Sequence, residues 1–357
     1  MTLPVASGIL AELPPGPCWQ ALATGPGTCT CRSGVGRADP VSSAGRRHGL
    51  PGVACPLRGR ASLGTLLPWA PQRHGWPRLV GVSSRLIGVV TGLLESYRIP
   101  GEQTDLAGMA ARCGHLGSDP GALFGVVQGL VLHEYAFRRS GLAIAPDQLA
   151  DWDVSAGQVL EQALRLDPAP LTEQRPPERR VAGQCFHSAV LYCALLRNRG
   201  HPARARCGFG SYLQPGAWVC HWVTERWDGG RWVGEDADTG RHDLDAGAFR
   251  SAGRAWLACR RDGDDPGSYG IGQGWGWPEL RGSLLSDAAA LVKDERFTFD
   301  RWELAQPPPE PHAAEDAWLD QLAELTLEDE RIPQLREQIK ANPAFTRDRV
   351  RTPAPPG

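Results

Sequence analysis

The stretch from Gly183 to Asp238 constrains the fold most, because its hydrophobic period changes along its length. CFHSAVLYCALLRNRG predicts a helix that ends at Gly200, a residue suited to the position after a helix C-terminus. The segments that follow, ARARCGFG, WVCHWVTERW and RWVGEDAD, alternate as strands do, and the last two flank Asp228-Gly229-Gly230-Arg231, a strong hairpin signal. A helix followed by antiparallel strands predicts an α+β fold in which the helix packs on the sheet.

Composition divides the chain into four segments. Residues 1–80 are rich in glycine and proline, with Glu12 and Asp39 as their only acidic residues. Such a segment buries too little apolar surface to offset its ordering entropy, so we predict a disordered tail; a translation start near Val80 is the alternative. The other predicted segments are a helical region over 81–165, the α+β domain over 166–300, and a linker, acidic helix and proline-rich tail over 301–357.

The helical region carries its own start signals. SSRLIGVVTGLLESY has serines at a suitable N-cap position, and Asp119-Pro120 supplies a cap and a first-turn proline to a helix through GALFGVVQGLVLHEYAFRR. A third helix is predicted from Ser155 to Leu166. The remaining predicted elements are a strand at AWLACRRD, a helix at LLSDAAALVKDE and the acidic helix around Trp318, Leu322 and Leu325.

Charge and hydropathy argue against two classes of partner. The formal net charge is −2, from 38 basic and 40 acidic residues, so no excess of positive charge predicts binding to nucleic acid or to an anionic membrane. No apolar run approaches the roughly 18 residues that span a bilayer. The N-terminal sequence lacks the basic region of a secretory signal, and Pro4, Pro14 and Pro15 interrupt its apolar residues. We therefore expect a cytoplasmic protein.

The 10 cysteines are irregularly spaced and none belongs to a CxxC pair. In a chain of this length without a secretory signal, this spacing favours free thiols over disulfides. The nearest approach to a metal site is a grouping of Cys18, Cys29, Cys31, Cys55 and His48, which lacks the knuckle spacing of structural zinc sites. We therefore predict no metal and no cofactor.

Cys185 and Cys193 lie on the same predicted helix but in different positions. Cys185 stands at the helix start, where exposed N–H groups and the macrodipole stabilise a thiolate and lower a pKa that begins near roughly 8.5. Cys193 lies two turns further along and is expected to pack. Cys185 is therefore the candidate nucleophile and its backbone N–H a candidate oxyanion donor, with Gln184 as the candidate for a second donor.

The hairpin supplies a candidate base and a candidate orienting carboxylate. With a two-residue turn at Gly229-Gly230, the register sets His221 opposite Asp238, with Asp236 on the diagonal and all three on one face. Glu235 falls on the other face. Register alone slightly favours Asp238 as the group that orients His221. A three-residue turn would instead move Asp236 and Asp238 to the other face of their strand.

Together these motifs resemble the core of the transglutaminase-like superfamily. That pattern runs G-x-C at a helix start, R-x-x-G-x-P-A-R into a strand, H-x-W in the next strand and W-x-x-x-D in the one after. The residues that match it are Gly183, Cys185, Arg197, Gly200, Pro202, Ala203, Arg204, His221, Trp222, Trp232 and Asp236. The pair His221-Trp222 lacks the intervening residue of the third motif.

The resemblance implies a papain-like fold with a Cys-His-Asp triad. It makes Cys185 the nucleophile, His221 the base and Asp236, rather than Asp238, the orienting residue. Hairpin tryptophans on the same face as His221 are expected to wall an acyl pocket, with Trp222 and Trp232 as the substrate-binding candidates.

Three functions are open to such a chain. The leading hypothesis is a cysteine hydrolase that cleaves an amide or peptide-like bond through a thioester intermediate. The second is an amide-forming acyltransferase, in which an amine replaces water at the same triad. The third is a non-catalytic peptide-binding module whose acidic C-terminal helix docks a partner. The expected ligand is a peptide or a small amide, and the sequence carries no signal for an oligomeric state.

Overall fold

The structure is a computed structural model, which describes residues 84–152, 154–245, 247–295 and 313–342. The helices are α1 Ser84–Ser96, α2 Pro120–Leu130, α3 Glu134–Arg139, α4 Ala156–Leu166, α5 Cys185–Asn198, α6 Ala252–Leu257, α7 Trp277–Leu291, α8 Ala313–Leu325 and α9 Ile332–Ala341. The strands are β1 Val131–His133, β2 Val181–Gly183, β3 Ala203–Gly210, β4 Trp218–Trp227, β5 Trp232–Glu235, β6 Phe249–Ser251, β7 Tyr269–Ile271 and β8 Gly274–Trp275.

Several predictions concern residues that the structure does not describe. The disordered tail over 1–80, the start near Val80, the N-terminal grouping of cysteines and His48, the linker around Pro307 and the final proline-rich tail lie outside the described residues. All described residues belong to one compact unit.

A sheet at the centre of the described residues carries the predicted hairpin. Its strand order is β6-β3-β4-β7-β8, and β5 also pairs with β4. β3 and β4 are antiparallel, as are β4 and β5, whereas β4 and β7 are parallel. β1 and β2 form a separate parallel pair.

Helix α5 lies against this sheet and is buried from Cys185 to Arg197. It packs on β4, where the hydroxyl of Thr224 donates to the carbonyl of Ala189 at 2.8 Å, while α7 packs on β3. The predicted α+β fold, with a helix packed on an antiparallel sheet after a helical region, is confirmed. Of the helices in the described part of the chain, none combines the length and apolar character needed to cross a bilayer.

The predicted helix through GALFGVVQGLVLHEYAFRR is in fact two helices separated by a strand. α2 starts as predicted, because the carboxylate of Asp119 accepts the N–H of Ala122 at 2.8 Å. Val131–His133 then leaves the helix and pairs with Val181–Gly183. The helical prediction is wrong for these three residues because a partner strand some 50 residues away overrides their local period.

AWLACRRD is helical, so the prediction of a strand there is wrong. It forms α6 and a following π-helical turn, Ala258–Asp262. Trp256 is buried and its indole N–H donates to Asp320 of α8 at 2.7 Å, so packing against a distant helix decides the conformation. The helices predicted at Ser155–Leu166, at LLSDAAALVKDE and around Trp318 correspond to α4, α7 and α8.

Candidate active site

Cys185 is the first residue of α5 and lies two residues beyond the end of β2. Gln184 is the N-cap and has extended backbone geometry, so the chain turns sharply from strand to helix at the thiol. The N–H groups of a first helical turn have no acceptor within the helix. The backbone N–H of Cys185 is thus available to an oxygen atom beside the sulfur, in a site where the residue is only 6% exposed.

His187 holds this strand-to-helix turn in place. Its Nδ1 accepts the N–H of Gln184 at 2.9 Å, and its Nε2 donates to the carbonyl of Asp151 at 3.0 Å. Burial lowers the pKa of His187 to about 4, so the ring is neutral at physiological pH. These contacts make His187 a positioning residue for Cys185.

His221 lies on β4 and joins the thiol to a carboxylate. Its Nε2 contacts Oδ2 of Asp236 at 2.9 Å, and its side chain is hydrogen-bonded to Cys185. Because Nε2 faces Asp236, Nδ1 is the ring nitrogen available to the thiol. The structure therefore brings together the three residues that the resemblance assigned to a triad.

Asp236 is held by several donors besides the imidazole. On Oδ2 it accepts the hydroxyls of Tyr212, at 2.7 Å, and Thr239, at 2.5 Å. On Oδ1 it accepts the N–H groups of Asp238 and Thr239, each at 3.1 Å. Burial by itself would raise the pKa of Asp236, but His221 and these donors lower it to about 2, so the carboxylate stays ionised.

Electrostatics favour a thiolate in this site. Burial raises the pKa of the Cys185 thiol, but His221 and His133 outweigh it and lower the pKa to about 7 from 9.0. Burial lowers the pKa of His221, whereas Asp236 and Cys185 raise it well above its usual range. A lowered thiol pKa beside a raised imidazole pKa means that the thiolate–imidazolium pair is favoured near neutral pH.

The hairpin has the predicted register as far as Glu235. Trp227 pairs with Trp232, and the N–H of Asp228 donates to the carbonyl of Arg231 at 3.1 Å across the two-glycine turn. Glu235 accepts the hydroxyl of Tyr192 from α5 at 2.9 Å and makes no contact with His221 in this register.

Beyond Glu235 the predicted register does not continue. The carboxylate of Asp236 accepts the N–H groups of Asp238 and Thr239, which turns the chain back so that Asp236 bridges to Arg241. Asp238 therefore does not lie opposite His221 in a ladder. Its side chain is hydrogen-bonded to Ser188, and its charge acts on both His221 and His133.

The other predicted site residues have different partners. The side-chain amide of Gln184 donates to Oε1 of Glu134 at 2.7 Å, which turns it toward α3. Trp222 is 1% exposed and packs edge-to-face on Phe186 at a centroid distance of 5.1 Å. The indole N–H of Trp232 donates to Asp329 at 2.7 Å. Both tryptophans thus have packing or hydrogen-bond partners within the fold, and their place on an acyl pocket stays a prediction.

Sequence reasoning missed three residues of the site. His133 contacts the thiol, while Tyr212 and Thr239 hold Asp236. His133 carried no signal, because its surroundings continue the helical pattern of α2. Thr239 had one: an aspartate followed closely by glycine is typical of a turn, and DADTG indicated that the strand ends at Asp236.

The cysteines of the described residues are free thiols. Burial raises the pKa of Cys193 to about 12, in contrast to Cys185 on the same helix. Within the described ranges no three His, Cys, Asp or Glu side chains are grouped so as to hold a metal ion.

Comparisons with known proteins concern the segment that contains Cys185, His221 and Asp236. Residues 162–237 match the family model of the transglutaminase-like superfamily, and no curated protein matches the chain. A crystal structure of a candidate cysteine protease from Cytophaga hutchinsonii matches at 18% identity, over 50% of this chain and 48% of that chain, with a TM-score of 0.30. The chain thus spans about half the length of that protein, and a likeness this low decides neither fold nor activity.

Proposed function

We infer that this member of the transglutaminase-like superfamily is a cysteine hydrolase that cleaves an amide or peptide-like bond. The observation that carries the inference is the continuous contact from the Cys185 thiol through His221 to Asp236. The thiol lies at a helix start, the base is oriented by an ionised carboxylate, and the pKa of the thiol is about 7. Each of these favours a nucleophilic thiolate over a packing thiol.

Acylation starts from the Cys185 thiolate and the His221 imidazolium. Sulfur bonds to the substrate carbonyl carbon, and the displaced electron pair moves to the oxygen, which accepts the backbone N–H of Cys185. The tetrahedral intermediate collapses as the C–N bond breaks. The leaving amine takes the proton from Nδ1 of His221, which leaves a thioester and a neutral imidazole.

Deacylation uses the same residues in reverse. Neutral His221 takes a proton from water as the water oxygen attacks the thioester. The C–S bond breaks, the carboxylic acid leaves, and the thiolate–imidazolium pair is restored. Asp236 stays ionised throughout, keeps a proton on Nε2 and holds the ring against the thiol.

Alkylation by iodoacetamide at about pH 7 tests the nucleophile. A thiol of pKa about 7 is half ionised there, and one of pKa 9.0 is about 1% ionised, so His221→Ala should slow alkylation of Cys185 by roughly 50-fold. Mass spectrometry of the tryptic peptide that holds both cysteines of α5 locates the label. Cys193 is the internal control and stays unmodified, because burial raises its pKa to about 12.

Slow, equal alkylation of Cys185 in both proteins would remove the proposal of an enzyme. The choice of acceptor is tested on the wild-type protein acylated with 4-nitrophenyl acetate, followed in buffer with and without a primary amine. Release of acetate in buffer alone is the expected result. Loss of the acyl group only when the amine is present would replace hydrolysis by acyl transfer.

A further inference from the structure

His133 is a second imidazole in hydrogen-bond contact with the Cys185 thiol, and the mechanism above gives it no role. The fold explains its position. β1 and β2 are parallel, and His133 pairs with Gly183, two residues before the nucleophile. Both strands run directly into helices, α3 and α5, so the residues at the two strand-to-helix junctions lie side by side.

Two contacts connect these junctions. The carboxylate of Glu134 accepts the side-chain amide of Gln184 at 2.7 Å, and His133 contacts Cys185. The amide of Gln184, which the sequence suggested as a second oxyanion donor, is therefore bonded to α3. The imidazole of His133, the last residue of β1 and the N-cap of α3, contacts the sulfur instead.

A backbone hydrogen bond fixes which nitrogen of His133 carries a proton. His133 is the N-cap of α3, and its Nδ1 accepts the N–H of Tyr135 at 3.0 Å. An accepting Nδ1 has no proton, so the neutral ring is protonated at Nε2, the nitrogen left to face the thiol.

The charge state of His133 does not change this conclusion. Burial lowers its pKa, while Asp238 and Cys185 raise it, with a net increase above the usual value. Protonation would add a hydrogen at Nδ1 and break the Tyr135 hydrogen bond, but Nε2 keeps its N–H in both states. A donor thus faces the sulfur whether or not the ring is charged.

We propose that the Nε2–H of His133 is the second donor of the oxyanion hole, with the backbone N–H of Cys185 as the first. The proposal rests on the function inferred above. As sulfur attacks, negative charge moves to a carbonyl oxygen one bond from the carbon that joins the sulfur, within reach of a donor already in contact with that sulfur. His133 transfers no proton in this step; it stabilises the oxyanion.

Two matched variants separate the donor from the helix cap. His133→Asn keeps an acceptor near the position of Nδ1 and loses the donor at Nε2. His133→Gln keeps an N–H near the position of Nε2 and loses the cap. Both variants are compared with wild type at a pH well above the thiol pKa, so that a change in that pKa does not alter the thiolate fraction. A Cys185→Ala protein measures the background reaction that does not involve this thiol.

Acylation by 4-nitrophenyl acetate forms an oxyanion, whereas alkylation by iodoacetamide displaces iodide at a saturated carbon and forms none. We expect His133→Asn to slow acylation by roughly 100-fold to 1,000-fold and His133→Gln to slow it by less than about 10-fold. Alkylation of Cys185 should change by less than about 3-fold in both variants, which also shows that the site is folded.

Two results would overturn the role of His133: acylation by His133→Asn within about 10-fold of wild type, or an equal loss of acylation and alkylation, which would make His133 a residue that only holds the thiolate in place. Failure of the function itself has a separate signature. Wild-type Cys185 would then be alkylated no faster than the same cysteine in the His221→Ala protein.

Discussion

Asp236 and Asp238 are two residues apart, and their surroundings give them opposite pKa shifts. Burial would raise both. His221 and the hydroxyls around Asp236 lower its pKa to about 2, whereas the pKa of Asp238 is raised from its usual value. The difference reflects hydrogen-bond donors, because Asp236 accepts the imidazole, two hydroxyls and two N–H groups.

Asp236→Asn should raise the thiol pKa of Cys185. Removing the charge lowers the pKa of His221, the thiolate loses part of its imidazolium partner, and the thiol pKa moves up from about 7 toward 9.0. The measurement is the rate of iodoacetamide alkylation against pH, whose midpoint should move to higher pH. Asp238→Asn is the control and should move it less. A larger shift for the control would make Asp238 the orienting residue.

Among the helices, α6 and α8 come into close contact at Gly253. A Cβ atom there would lie 2.0 Å from Oγ1 of Thr326 and 2.9 Å from the carbonyl oxygen of Ala323. The threonine hydroxyl is itself bonded to that carbonyl at 2.7 Å, so room for a methyl group requires this hydrogen bond to break or the two helices to move apart. The glycine therefore sets the distance between the two helices.

Gly253→Ala should destabilise the protein by about 1–3 kcal/mol through overpacking of this contact. Gly125→Ala in α2 is the matched control, since no atom lies within 4 Å of the added methyl group there. The control should be neutral or stabilise by up to about 1 kcal/mol. Urea denaturation of both variants measures the effect, and equal stability of the two would contradict a close contact between α6 and α8.

The acidic residues of α8 have partners within the same chain. Asp320 accepts Nε of Arg260 at 3.0 Å, and Glu324 accepts Arg261 at 2.6 Å. Asp320 also accepts the indole of Trp256. The acidic helix, which the third hypothesis assigned to docking a partner, is thus held against α6 and the π-helical turn that follows it.

Across the whole molecule, two buried arginines on β3 connect the sheet to distant segments. Arg204 bonds to Glu225 at 2.7 Å and to Asp329, just before α9, at 2.6 Å. Arg206 bonds to Glu225 at 3.1 Å and to Asp287 of α7 at 2.8 Å. Glu225 is shared by both arginines, so its ionisation couples the stability of these segments to pH.

Glu225 should make folding stability sensitive to acid. Burial would raise its pKa, but the two arginines lower it from 4.5 to about 2, which corresponds to about 3 kcal/mol. Because the folded-state pKa is the lower one, this stabilisation is complete above about pH 4.5 and is lost as the pH falls toward 2. Glu225→Gln should therefore destabilise more at about pH 7 than at about pH 2.5 in urea denaturation. An equal effect at both pH values would show that the carboxylate charge is not responsible.

Local patterns in the sequence determined much of the architecture. Asp119 and Ser155 cap α2 and α4, the two-glycine turn sets the register of Trp227 and Trp232, and Gly200 has the positive φ of +81° expected after α5. These features depend on neighbours within a few residues, so they can be read from a single sequence. Cys185 and His221 were named from equally local patterns, whereas Asp236 was chosen over Asp238 only by the family resemblance.

Only the tertiary structure decided the features that depend on distant partners. Val131–His133 is a strand because it pairs with β2, and that pairing brings His133 to the thiol. The helix α6 forms where a strand was predicted, because Trp256 packs against α8. The physical reason is common to both: pairing and burial with segments 50 and 64 residues away outweigh local preferences of about 1 kcal/mol or less per residue.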